Sequence, residues 1–305
     1  MSNRRTFIQQ LAWGSAGFLA AQYPNSSYAK DDLVQVTILH TNDMHCHIEP
    51  FPESDPGNGG NGGMTRLAEI IQQLRTENNS VLLFDAGDMF QGTPYFNYFR
   101  GELVLKMMSR MGYDAGTLGN HEFDNGLEGL REALPFARFP ILSSNYDFSD
   151  TLLHGSFVTH KTFVKDDIKI GLYALGVELD GLVAKKNFQE TRYLDPIKTA
   201  KKMELFLKEE KKCDLVICLS HLGLEYKENK VSDKIIATQT YCTDLIIGGH
   251  THTFLDDALR MKNAAGKQVI VNQVGYGALM LGRVDFMFDR SRKIHADVSA
   301  SYKNG

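Results

Sequence analysis

Cysteine is scarce in this chain. The four thiols, Cys46, Cys213, Cys218 and Cys242, form no C-x-x-C framework, which argues against a disulfide scaffold or a zinc ribbon. Long Lys/Arg runs are absent and the formal net charge is −4, which argues against a non-specific nucleic-acid binder. No G-x-G-x-x-G opens a helix after the first predicted strand, and no P-loop lysine accompanies the Gly-rich stretch at residues 51–63. The dinucleotide-binding and P-loop readings therefore lose their motifs, and the stretch reads as a mobile rim. No solenoid repeat is evident. The apolar stretch from Leu11 to Ala21 is too short, and too interrupted by Gly14, Ser15 and Gly17, to span a bilayer.

What is present is ample core material. Of 305 residues, 43% are hydrophobic and 23% charged, a globular balance. Residues 1–29 read as a twin-arginine-type export signal. Arg4-Arg5 precedes Phe7-Ile8 and the modest apolar stretch, and Ser27-Tyr28-Ala29 offers a cleavage site. Asn3 and Gln9 depart from the usual pattern. An exported, periplasmic or otherwise extracytoplasmic protein is expected, with no stable membrane span after cleavage.

From residue 33 onward, strand and helix patterns alternate. Short unalternated β-rich runs, such as Val34 to Leu39, Val81 to Phe84 and Leu215 to Leu219, close on polar clusters. Helix-period segments lie between them, among them Met64 to Gln73, Leu103 to Met111 and Ile197 to Leu207. This order predicts βαβ units and largely parallel sheets. Residues 283–302 read as two strands turned at Arg290-Ser291.

The polar clusters carry the chemistry. Asp43-Met44-His45, Asp88, Asn120-His121, His221 and His250-Thr251-His252 each follow a predicted strand. In open α/β sheets the ligand site lies beyond the carboxyl ends of the strands. Singly, each histidine reads as structural and each aspartate as a turn or helix-cap residue. Together, seven carboxylate, amide and imidazole side chains at five strand ends read as a two-metal hydrolytic centre. Asp124 opens a helix and reads as an N-cap, a partner of His121, or both. Cys46, His47, Glu49 and Arg66 read as rim or structural, His40 as packed at its strand end, and Asn145 as a candidate substrate contact. A Cys213–Cys242 bridge is open.

Five motifs carry a resemblance. Thr41-Asn42-Asp43-Met44-His45, Gly87-Asp88-Met89-Phe90-Gln91-Gly92, Leu118-Gly119-Asn120-His121-Glu122-Phe123-Asp124, Leu219-Ser220-His221-Leu222-Gly223 and Gly248-Gly249-His250-Thr251-His252 occur in the order seen in calcineurin-like metallophosphoesterases. More narrowly, the chain resembles the catalytic domain of the 5′-nucleotidase and UDP-sugar hydrolase family, over about residues 33–290. The resemblance implies a four-layer α/β/β/α sandwich spanning residues 30–305, as a single catalytic domain without the family's C-terminal nucleotide-binding domain. It implies two divalent metal ions (Mn, Zn, Fe or Co). Asp43, His45 and His252 would hold one, Asn120, His221 and His250 the other, and Asp88 would bridge them. A water between the ions would attack a small phosphate ester, with nucleotides among the candidates. Asn120 and His121 would face that substrate, and His121, oriented by Asp124, would assist the leaving group. A separately encoded subunit could supply the nucleotide-binding domain. A thiosulfohydrolase-like chemistry on a sulfur ester and a metal-binding pseudo-enzyme or scaffold are the alternatives.

Overall fold

In the computed structural model, residues 33–305 are described. The expected export signal lies outside them. In chain order the strands are β1 (Val34–Thr41), β2 (Val81–Asp85), β3 (Ala115–Thr117), β4 (Ile141–Leu142), β5 (Tyr146–Asp147), β6 (His160–Lys165), β7 (Ile168–Gly176), β8 (Arg192–Tyr193), β9 (Leu215–His221), β10 (Leu245–Gly248), β11 (Leu259–Lys262), β12 (Gln268–Asn272), β13 (Met280–Phe288) and β14 (Ile294–Lys303). One six-stranded sheet runs β14-β13-β1-β2-β3-β4, a second runs β11-β12-β10-β9-β7-β6, and β5 pairs with β8 in a small ribbon.

The centre of each sheet is parallel. Strands β1 to β4 pair in parallel, as do β7, β9, β10 and β12. Antiparallel strands close the β13-β14 edge of the first sheet and both edges of the second. The expected C-terminal hairpin is β13-β14.

Side-chain alternation explains the layering. Along β1, Val36 and Ile38 enter a core between the two sheets, whereas Leu39 enters the core beneath the outer helices. Along β7, Ile170, Leu172 and Ala174 face the inter-sheet core, and Tyr173 and Leu175 meet the helices of the other side. Strands buried on both faces need apolar residues at every position, which is why these runs do not alternate in sequence. The helix Met64–Glu77 covers the first sheet with Met64, Leu67, Ile70, Ile71 and Leu74. That spacing is one helical face. The helices Pro196–Leu205 and Asp233–Gln239 cover the second sheet with Ala200, Met203, Ile236 and Ala237. The result is helix, sheet, sheet, helix: the four-layer sandwich.

Both sheets direct the carboxyl ends of their parallel strands to one rim. Asp43 and Asp88 come from the first sheet, and His221, His250 and His252 from the second.

Candidate metal centre

Three overlapping groups of potential ligand atoms lie at this rim. Asp43, His45 and His252 form one, Asp88, His221 and His250 another, and His45, Asp88 and His121 a third. Within each group the atoms lie within 4.8 Å of one another. The groups join the two sheets: His221 Nε2 is 3.0 Å from Asp88 Oδ2, and His252 Nε2 is 3.3 Å from Asp43 Oδ1.

The tautomers show what the cluster needs. His221 Nδ1 sits 2.7 Å from the Ala86 carbonyl, so it carries the proton and donates. Nε2 then faces the Asp88 carboxylate, with a lone pair when the ring is neutral and an N–H when it is charged. His45 Nδ1 pairs with the Phe90 carbonyl at 3.2 Å, leaving its Nε2 lone pair 3.0 Å from His252 Nε2. The buried Asn120 Oδ1 is without a partner. Lone pairs converging at these distances repel unless a positive charge lies among them. A proton on His221 Nε2 can supply that charge: burial lowers the pKa of His221, but the facing Asp88 carboxylate overrides it and pushes the group up to about 10. Burial holds His45 below the ordinary imidazole range and takes His250 down to about 4. Imidazoles anchored at Nδ1, as His45 and His221 are, with carboxylates and an amide oxygen, are a donor set for a borderline divalent cation that takes the place of the Nε2 proton.

The backbone bends to bring these groups in. Asp43, His45, Asp88, His250 and His252 have positive φ values of 51, 47, 56, 73 and 51°. Non-glycine residues in this region cost about 1–3 kcal/mol each, a strain that gathers where a site over-determines the chain. Gly119 supplies the space. A Cβ there would lie 2.2 Å from Asp88 Oδ1 and 2.6 Å from His221 Nε2.

His121 stands at the edge of the cluster. Its Nδ1 is 2.7 Å from Asp124 Oδ2, and its backbone N–H donates to Asp88 Oδ1 at 2.8 Å. Burial pulls its pKa down, yet the Asp124 hydrogen bond and the nearby carboxylates push it up to about 9. Asp124 is thus paired with His121, and no side-chain cap is present at the helix Gly126–Ala133.

Three residues holding the site were not picked out in the sequence as such. Glu122, fully buried, accepts the backbone N–H groups of Asp88, Met89, Phe90 and Gly119 at 2.6–3.1 Å, tying two motif loops together. Asn42 donates to Asp43 Oδ2 at 2.6 Å and accepts from Val274 N. Gln273 donates to the Gly249 carbonyl and accepts from Thr253 N, bracing the His250–His252 turn. Only the place of Glu122 within a loop of site residues hinted at this.

Other candidates fall elsewhere. Asn145 is fully buried, and both ends of its amide pair with the Gly176 backbone at 2.7 and 2.9 Å. It clamps its loop to β7, and its side chain is not open to a substrate. Cys213 and Cys242 are free thiols and form no bridge. Cys46 is buried, its Sγ directed at the Met89 carbonyl, and burial pushes its pKa up to about 12. His47 stacks on Phe51. His40 is buried and accepts from Asn272. Arg66 donates to the Gly60 carbonyl. The Gly-rich rim is tied down: Asp55 caps Gly57 N and Asn58 N, Phe51 N pairs with the Asn61 carbonyl, and Asn58 Nδ2 donates to Tyr276 Oη.

The family model of calcineurin-like phosphoesterases matches residues 36–254. The chain belongs to this family. Every candidate ligand of the chain lies inside that span. The human 5′-nucleotidase is 35% identical over 229 residues, covering 72% of this chain and 38% of the relative. The trifunctional nucleotide phosphoesterase protein YfkN of Bacillus subtilis is 33% identical over 307 residues, covering 90% of this chain and 20% of the relative. The chain thus spans well under half the length of either. Among solved structures, the 5′-nucleotidase precursor of Thermus thermophilus superposes with a TM-score of 0.81 at 30% identity, covering 89% of this chain and 55% of that one.

Proposed function

We propose that this phosphoesterase is an exported hydrolase of phosphate esters, of 5′-nucleotidase type, that works with two divalent cations. The observation that supports it most is the convergence of potential ligand atoms of Asp43, His45, Asp88, His221, His250 and His252 at the meeting of two sheets, with the buried Asn120 Oδ1 and His221 Nε2 left without a hydrogen-bond partner. In this reading Asp43, His45 and His252 would hold one ion. Asn120, His221 and His250 would hold the other, and Asp88 would serve both. The cations, when bound, neutralise phosphoryl oxygens and make water a better nucleophile at neutral pH. Mn, Zn, Fe and Co all suit the mixed oxygen and nitrogen set.

The rest is the work of the chain. His121, held at Nδ1 by Asp124, presents its other nitrogen to the ester. As the water oxygen bonds to phosphorus and the ester P–O bond breaks, a proton passes from His121 Nε2 to the departing oxygen. Asp124 fixes the ring and keeps it protonated. Nucleotides are the proposed substrates because the relatives named above are nucleotidases. Export rests on the Arg4-Arg5 leader. Among the described residues no helix is long and apolar enough to cross a membrane.

The test is hydrolysis by Mn- or Zn-loaded protein of 4-nitrophenyl phosphate, its bis-ester, nucleoside monophosphates, UDP-sugars and a thiosulfate-type donor. Release of phosphate from nucleoside monophosphates is expected. Turnover of the sulfur donor alone would overturn the reading.

A further inference from the structure

The rings at the rim form a connected row. His121 meets His45 at 5.2 Å between centroids, His45 meets His252 at 4.9 Å, and His252 stacks on Tyr276 at 4.9 Å and 19°. Tyr276 in turn meets Phe254 at 6.0 Å. His121 and Phe254 are therefore the two ends of this row. Phe254 is 46% exposed, high for a phenyl ring two residues from a candidate ligand. One side of it is occupied: a Cβ on Gly275 would lie 2.1 Å from the ring, so the ring rests on bare backbone. Tyr276 cannot turn aside, because Asn58 Nδ2 donates to its hydroxyl at 3.1 Å and Phe51 abuts it edge-on. Beside this shelf lies a recess of about 450 Å³ lined by Phe254, Asn58, Asp256, Leu279 and Lys303.

We infer that Phe254, buttressed by Tyr276, is a stacking shelf for a planar ring carried by the substrate. An open aromatic face beside a recess with amide, carboxylate and ammonium groups suits a nucleobase or aryl ring. Such stacking tolerates any base and adds affinity without directing the chemistry. The inference rests on the proposed leaving-group role of His121. The leaving substituent occupies the His121 end of the row, so a ring on Phe254 belongs to the substituent that stays on phosphorus. The shelf thus favours phosphodiesters over monoesters.

The experiment compares wild type, Phe254→Ala and Phe254→Trp. KM is measured for bis(4-nitrophenyl) phosphate and for 4-nitrophenyl phosphate on metal-loaded full-length chain, with adenosine binding followed by saturation-transfer NMR. Loss of the ring should raise the diester KM about tenfold more than the monoester KM, with kcat falling less, in keeping with the usual cost of removing a stacking partner. Phe254→Trp should restore both the KM ratio and adenosine binding. Equal shifts for the two esters, or no shift, would overturn the inference. If wild type hydrolyses neither ester, the proposed function fails by itself; adenosine binding that is lost in Phe254→Ala would still support the shelf, and binding unaffected by the substitution would sink it.

Discussion

The carboxylate of Glu122 accepts the backbone N–H of Asp88 at 3.0 Å, so the loop that carries the central carboxylate hangs from a side chain 34 residues further on. The same carboxylate takes the amides of Met89, Phe90 and Gly119. Glu122→Ala leaves four N–H groups without their acceptor, in a place water does not reach. A loss of about 3 kcal/mol or more in unfolding free energy is expected, since each orphaned buried donor costs about 1–3 kcal/mol. Denaturant unfolding checks the stability. Metal titration checks the site, because the variant should also bind ions more weakly through displacement of Asp88.

Asp124 holds His121 in one orientation and favours its protonated form. His121→Ala should retain bound metal and lose turnover by about 10²–10⁴-fold, the usual contribution of a positioned acid. Asp124→Asn removes a charge that raises the imidazole pKa. The protonated form exists below that pKa, so the alkaline limb of the kcat profile should move to lower pH. A pH–rate profile of the two proteins decides this, and an unmoved limb would remove Asp124 from the mechanism.

His40 gives a stability signature independent of the site's chemistry. Burial takes its pKa down to about 3, and its Nε2 accepts from Asn272 at 3.0 Å. The unfolded chain takes up a proton near pH 6.5, whereas the folded one does not until about 3. Stability is therefore intact above pH 6.5 and lost as pH falls through that window, by up to roughly 5 kcal/mol. His40→Gln keeps an acceptor without a titrating ring. Its unfolding free energy, measured by denaturant from pH 7 to 4, should show a shallower decline than wild type.

Much of this architecture can be read from the letters, for physical reasons. The strand Leu215–His221 is buried on both faces and so is apolar from Leu215 to Leu219. The change to Ser220-His221 marks the last residues of the strand, where chemistry begins. What the letters hide is geometry. Nothing in Asp43 or His250 announces a left-handed backbone, because the bonds these residues make there come from distant segments: Asp43 N–H donates to the Gly87 carbonyl and His250 N–H to the Asp43 carboxylate. Glu122 reads as one more acid until four amides are found around it. Asn145 sits at a strand end like the site residues, yet its amide is consumed by Gly176, a partner 31 residues away that spacing cannot foretell. The two-residue strands of the β5-β8 ribbon are too short for any pattern.

The central claim is that paired cations occupy the rim between Asp43 and His221. Elemental analysis of the full chain after Mn or Zn loading and removal of free ion tests it most directly, with Asp88→Ala alongside. Two ions per wild-type chain are expected, with a clear loss in the variant and, with it, loss of phosphate-ester hydrolysis. Wild-type protein that retains no ion after loading with excess metal, yet still hydrolyses the ester, would contradict it.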